Sequence, residues 1–272
     1  MQGSDELRVY WQPGCTSCLR TKEFLAARGV PYTSINVLAD PDAAAQLRAL
    51  GVRAVPVVAR GGRYVLGQDL AEVARFVGIA FEHRRLAPGV LVARLARLLG
   101  LARHLVLAIP PARIHDQIPA RPRRYADIAF HVGMIVQGFL EAARGGELRF
   151  EHFERLPPAG ADTPAALADW LAACELELAQ WVRQALSAEA PEAAQPAASM
   201  APPDPLLRTY YGERPRHEVL ERSAWHVAQH LRQLDFIVAE VLRVPGAPRL
   251  LPADLDGLPV PREVWDPEIR FA

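Results

Sequence analysis

The sequence predicts two structural classes in one chain, an α/β unit followed by an all-α unit. Three observations carry this. Short strand and helix patterns alternate up to about residue 80, long apolar stripes at helical spacing run from residue 89 to 245, and an alanine- and proline-rich stretch, "SAEAPEAAQPAASMAPPDP", connects the last two of those stripes. The division is therefore 1–80, a linker at 81–88, a helical unit at 89–245 with a flexible segment at 187–205, and a proline-rich tail at 246–272 expected to wrap the surface without regular structure.

In the first unit "LRVYWQ" reads as a strand and Thr16 to Arg28 as a helix closed by Gly29. "PYTSINV" is a second strand, and "PDAAAQLRALG" a helix with Asp40 as N-cap and Pro41 in its first position. "AVPVVAR" and "RYVLGQ", separated by Gly61 and Gly62, form a hairpin, and "DLAEVARFVG" is a closing helix. The order is βαβαββα. In the second unit helical periodicity covers roughly 89–108, 122–144, 163–188 and 215–243, enough for a four-helix bundle.

Composition narrows the function. Lysine plus arginine and aspartate plus glutamate number 31 each, which leaves no basic field for nucleic acid or an anionic membrane, so neither partner is expected. The segment "LVARLARLLGLARHLVLAIPP" is broken by Arg94, Arg97, Arg103 and His104 and reads as an amphipathic helix rather than a membrane span. Three cysteines, Cys15, Cys18 and Cys174, are too few for a disulfide-stapled secreted fold, and the start "MQGSDELRVYW" has no signal-peptide character, so a cytoplasmic location is expected. Assembly into a homo-oligomer is compatible with the sequence.

Cys15 and Cys18 stand where a strand hands over to a helix. At a helix N-terminus unpaired N–H groups and the helix dipole favour the Cys15 thiolate. Cys18, one turn on, is placed to attack a mixed disulfide at Cys15 and release the bound thiol. A zinc site would need two more ligands, and no further cysteine and no histidine precedes His83 in this unit. Redox chemistry is the expected use, against the alternative of a chance pair.

In the helical unit His226 and His230 lie four residues apart in "AWHVAQHLRQL", on the stripe that Val219, Ser223, Leu234, Ile237 and Val241 continue. His131 falls on the apolar stripe of another helix with Ile128 and Ile135. Buried imidazoles need partners, and one divalent metal, zinc by preference, satisfies all three while leaving a coordination position open. The alternative is three core histidines without metal. Cys174 reads as a small buried hydrophobe, Trp225 as packing between helices, and His115 with Asp116 as a polar loop. Arg121, Arg123 and Arg124 either receive an acidic group or start a helix.

"CTSC" after a strand, "RAVPVV" further on and "GQDLAEV" after a hairpin resemble the glutaredoxin family, with its thioredoxin-like fold, over residues 6–80. The resemblance implies glutathione as cosubstrate. It implies a cis Val55–Pro56 bond beside the active cysteine, with the Val55 backbone pairing the cysteinyl part of glutathione, and Asp69 holding its γ-glutamyl amine behind Gly67 and Gln68. The chain departs from the family at Gln12, where a lysine is usual, and in having "CTSC" for "CPYC". Loss of that cation weakens thiolate stabilisation and the grip on the glycyl carboxylate. His131 with "WHVAQHLRQL" resembles the DinB-like four-helix family, whose members hold a divalent metal through residues matching His131, His226 and His230; some are thiol-dependent transferases or isomerases.

The expected function is a glutathione-linked thiol-disulfide oxidoreductase acting on small-molecule or protein disulfides, fused to a metal-dependent thiol S-transferase or isomerase for an electrophilic small molecule. The alternative is a redox-sensing or thiol-binding module whose helical part is structural or recruits partners.

Overall fold

β-Branched and aromatic residues open the chain's first strand, and the sheet grows from there. In the computed structural model, which describes residues 6–119, 121–189 and 204–268, β1 (Arg8–Trp11) pairs in parallel with β2 (Thr33–Asn36) and antiparallel with β3 (Val57–Arg60). β3 forms a hairpin with β4 (Arg63–Leu66), giving the order β2-β1-β3-β4. The helices are α1 (Thr16–Ala26), α2 (Ala43–Ala49) and α3 (Leu70–Val77). Two apolar clusters pack the sheet and its helices: Tyr10, Trp11, Cys18, Ile35, Leu47 and Val57 in one, and Val9, Phe24, Leu25, Val58, Leu70 and Val73 in the other. The βαβαββα order follows the sequence reading.

One helix start differs from that reading. Asp40 does not cap α2; its Oδ1 accepts the Asp42 N–H at 2.8 Å, and this local turn delays the helix until Ala43.

The second unit contains four long helices, α4 (Pro88–Ala108), α5 (Tyr125–Ala143), α6 (Pro164–Glu189) and α7 (Arg216–Phe236), the last followed by a π-helical turn, Ile237–Val241. α4 and α5 each pack against both α6 and α7. The apolar stripe of α4, Leu91, Leu95, Leu98, Leu99, Ala102 and Leu105, is fully buried. Among the described residues no helix is long and apolar enough to cross a membrane.

A three-stranded sheet not expected from the sequence lies in the same unit: β5 (Glu147–Leu148) runs parallel to β6 (Leu206–Thr209), which forms a hairpin with β7 (Gly212–Pro215). Of the connection expected to be flexible at 187–205, residues 187–189 continue α6, and 190–203 lie outside the described residues.

The tail also differs from expectation. It forms a short helix, α8 (Pro252–Leu255), and residues 260–268 group with the first unit, as do residues 117–119 and 121–123. Lys22 of α1, buried over the Trp11 ring at 3.7 Å, pairs with buried Asp266 at 2.8 Å, and the Glu23 carboxylate accepts the Glu263 N–H at 2.9 Å. Charged anchors, which composition does not reveal, hold the tail there.

Candidate functional site

In the first unit Cys15 is the N-cap of α1. Its extended backbone turns the chain into the helix, and its Sγ accepts the Cys18 N–H at 3.2 Å. A capping sulfur is thus aimed at the unpaired N–H groups of the first turn, where a thiolate is favoured. The two sulfurs are joined as a disulfide. Cys15 is half-buried, whereas Cys18 is fully buried in the sheet cluster with Tyr10 and Val57. An incoming sulfur can therefore reach Cys15 and not Cys18.

Three further segments converge on this helix start. The Val55–Pro56 bond is cis, the form the resemblance implies, and both residues are buried. Gly67 N–H donates to the Pro56 carbonyl at 2.9 Å, and its own carbonyl accepts from Thr21 Oγ1 at 2.9 Å, which ties the β4–α3 turn to both the Pro56 loop and α1. The Gln68 side chain donates to the Val55 carbonyl at 3.1 Å and is buried, so its amide shapes the loop. Asp69 caps α3, accepting N–H from Ala71 at 2.8 Å and Glu72 at 3.2 Å. Gln12 takes part through its carbonyl, which accepts the Cys15 N–H at 3.2 Å.

The segment 117–123, part of the same unit, reaches this loop. Arg121 Nη1 donates to the Pro13 carbonyl at 3.1 Å, and Ile118, buried, lies against Gly14. Of the three arginines read together in the sequence, Arg124 belongs to the second unit and starts α5 by pairing with Asp127 at 2.7 Å and Asp162 at 2.8 Å. His115 and Asp116 are likewise engaged locally, with Arg124 and Arg113.

In the second unit α5 and α7 bring His131, His226 and His230 together. All three are buried, and one ring nitrogen from each lies within 4.8 Å of the others. Ring centroids are 4.8 to 5.3 Å apart. The His230 Nδ1 lies 2.8 Å from Gln233 Oε1, an arrangement that, with Nδ1 as donor, leaves the Nε2 lone pair to ligate a metal. Three nitrogen donors in one buried cluster fit a divalent ion of the zinc class.

Phe153 packs on His131 at 5.5 Å and on His226 at 5.6 Å, and Tyr210 packs on Phe153 at 5.9 Å. Neither was singled out in the sequence, because both lie in segments without periodicity. Trp225 is buried beside His226, as expected of a packing residue. Cys174 is fully buried, and desolvation pushes its thiol up to about 12.

A groove of about 480 Å³, lined in part by Met134, Gln137, Glu141, His152 and Trp170, also escaped the sequence reading. In it His152 Nδ1 lies at 3.1 Å from the Arg149 N and 3.0 Å from the Arg149 carbonyl oxygen, and His152 Nε2–H donates to the Glu141 carboxylate at 2.8 Å. That bond first, with Arg149 and Arg155 nearby, holds the Glu141 carboxyl below the usual carboxylate range.

Residues 7–65 match the family model described as Glutaredoxin. The glutaredoxin-like protein NrdH of Salmonella typhimurium is 40% identical over 55 residues, 20% of this chain and 68% of that protein, and its Escherichia coli K12 counterpart gives the same figures. An uncharacterized glutaredoxin-like 8.6 kDa protein in the rubredoxin operon of Clostridium pasteurianum is 28% identical over 72 residues, 26% of this chain and 96% of that protein.

Proposed function

Because the chain belongs to the glutaredoxin family through its first unit, we propose that it is a cytoplasmic thiol-disulfide oxidoreductase linked to glutathione, with Cys15 as the attacking sulfur and Cys18 as the resolving one. The difference in exposure between the two sulfurs carries this reading. The Cys15 thiolate attacks a disulfide sulfur, forms a mixed disulfide and expels one thiolate. Cys18 then attacks Cys15, closes the internal disulfide and releases the second thiol. Two electrons pass to the substrate, and an external thiol reduces the protein for the next cycle.

Backbone groups of Val55 and the carboxylate of Asp69 are the proposed contacts for glutathione, beside the helix start that favours the Cys15 thiolate. Gln12 adds no charge there. Turnover of a glutathionylated disulfide tests the reading when compared with reduction of a disulfide that carries no glutathione. Equal rates with both would remove the glutathione linkage and keep the oxidoreductase.

For the helical unit we propose a DinB-like site in which His131, His226 and His230 hold one divalent metal, zinc by preference. The proximity and burial of the triad and the Gln233 side chain facing His230 support it. A metal held there would supply Lewis acidity toward a small thiol in thiol transfer to, or isomerisation of, an electrophilic molecule. The chain's own part is to fix the imidazoles, through Gln233 and the Phe153 ring, and to keep the cluster dry.

A further inference from the structure

Arg222 lies on α7 one turn before His226, so residues 222, 226 and 230 share one stripe. It is only 5% exposed, and among the described residues it forms no ion pair. Its Nη2 donates to Tyr210 Oη at 2.9 Å, but Nε and Nη1 are buried with no acceptor within hydrogen-bond distance. Three rings surround the guanidinium, Phe153 at 5.3 Å, Tyr210 at 5.8 Å and Tyr211 at 5.2 Å. The Tyr211 hydroxyl is a second buried donor with no acceptor, and burial raises its pKa further, so it stays protonated. The nearest acids along α7 are engaged elsewhere: Arg85 binds Glu218 at 2.9 Å and Glu221 at 3.4 Å, and Arg214 binds Glu218 at 3.5 Å.

A cation taken out of water without a counter-ion is costly, and aromatic faces return only part of that cost. Buried N–H and O–H donors left without acceptors add to it. An oxyanion removes both deficits at once, since guanidinium is the side chain that best matches carboxylate and phosphate oxygens.

We propose that Arg222 and Tyr211 form a seat for the oxyanion of a small molecule, its carboxylate or phosphate group. The Phe153 ring that flanks Arg222 also packs on His131 and His226, so a molecule anchored at Arg222 is held beside the histidine triad. That last step rests on the metal reading above and makes the anchored molecule the substrate, or the thiol, of that site. The seat itself does not depend on metal.

The test uses the full chain, stripped of metal with a chelator and, separately, loaded with zinc. The probes are acetate and inorganic phosphate, with chloride at matched ionic strength as control. Calorimetric titration and melting curves should show an oxyanion binding the metal-free protein at least tenfold more tightly than chloride and raising its melting point; whether acetate or phosphate is preferred identifies the group. Arg222→Met should weaken that binding at least tenfold and, without oxyanion, melt at or above the wild type, because an uncompensated buried charge has gone. Tyr211→Phe should weaken it several-fold.

Equal responses to oxyanion in the wild type and Arg222→Met would overturn the seat. So would an Arg222→Met protein that melts well below a wild type itself unresponsive to either oxyanion, since the arginine would then be structural. If Arg222→Met does not fold, unchanged affinity in Tyr211→Phe overturns it. Oxyanion binding by protein that takes up no zinc would keep the seat and remove the metal reading, whereas zinc uptake without oxyanion binding would do the reverse.

Discussion

Gly67→Ala should damage the redox site without touching a cysteine. A Cβ at Gly67 would stand 2.6 Å from Thr21 Oγ1 and 2.7 Å from Pro56 Cγ, about 0.8 Å inside the ~3.5 Å at which carbon atoms pack comfortably. Neither neighbour can swing aside. Thr21 is fully buried and its hydroxyl also bonds the Ser17 carbonyl at 2.9 Å, while Pro56 is a ring fixed to its own backbone. The displacement therefore passes to α1, one turn beyond Cys18, and to the loop holding Val55. Overpacking of this kind costs about 1–3 kcal/mol, and each kcal/mol lowers the melting point of a domain this small by roughly 4–8 °C. Misplacement of the reacting groups should lower turnover on the order of tenfold or more. Thermal melts and disulfide-reduction rates measure the two effects. Gly89→Ala is the control: it lies in α4 with nothing within 4 Å of the added carbon, and should melt unchanged or up to about 1 kcal/mol more stable. A Gly67→Ala protein that melts and turns over like the wild type would show that the β4–α3 turn is not packed against the redox helix as described.

Asp69 has a cap role and a proposed recognition role, and two substitutions separate them. Asp69→Asn keeps a good N-cap and should preserve stability while slowing glutathione-linked turnover more than reduction of a glutathione-free disulfide; Asp69→Ala should also cost about 1 kcal/mol. Equal losses with both substrates would end the recognition role. For Cys174, a thiol pushed up to about 12 leaves roughly one molecule in 10⁴ as thiolate at pH 8. Iodoacetamide should therefore label Cys15 of the reduced, folded protein and spare Cys174 until unfolding, and comparable labelling rates would contradict the burial. Elemental analysis of zinc-supplemented, desalted protein should find about one metal ion per chain, lost in His226→Ala and His230→Ala and kept in His115→Ala and in His217→Ala, whose ring instead meets the Leu86 carbonyl at 2.6 Å. A wild-type protein without metal would leave the triad as core histidines.

The redox helix and the histidine stripes were legible in the sequence because their signals are local. A strand running into Cys15, or apolar residues at helical spacing through His226 and His230, can be read within a short window. The sheet of β5, β6 and β7 was not, since β5 has two residues and its partner β6 lies beyond a long proline-rich connection. The return of residues 117–123 and of the tail to the first unit rests on contacts such as Arg121 with Pro13 and Lys22 with Asp266, which join positions far apart in the chain. Arg222 was missed for a different reason: in "HEVLERSAWH" it reads as one charge on a polar helix start, and its want of a counter-ion exists only in three dimensions. The role of Asp40 was misjudged because an Asp-Pro pair serves a turn as well as a helix cap, and the backbone decides which.

The identity of the attacking sulfur is tested most directly by trapping it. Reduced Cys18→Ser protein, treated with glutathione disulfide and mapped by mass spectrometry, should carry glutathione on Cys15, because that sulfur caps α1 and reaches solvent whereas position 18 and Cys174 are fully buried. Glutathione on Cys174 in this variant, no stable adduct at Cys15, or an adduct on Cys18 rather than Cys15 in the folded wild type would contradict the assignment.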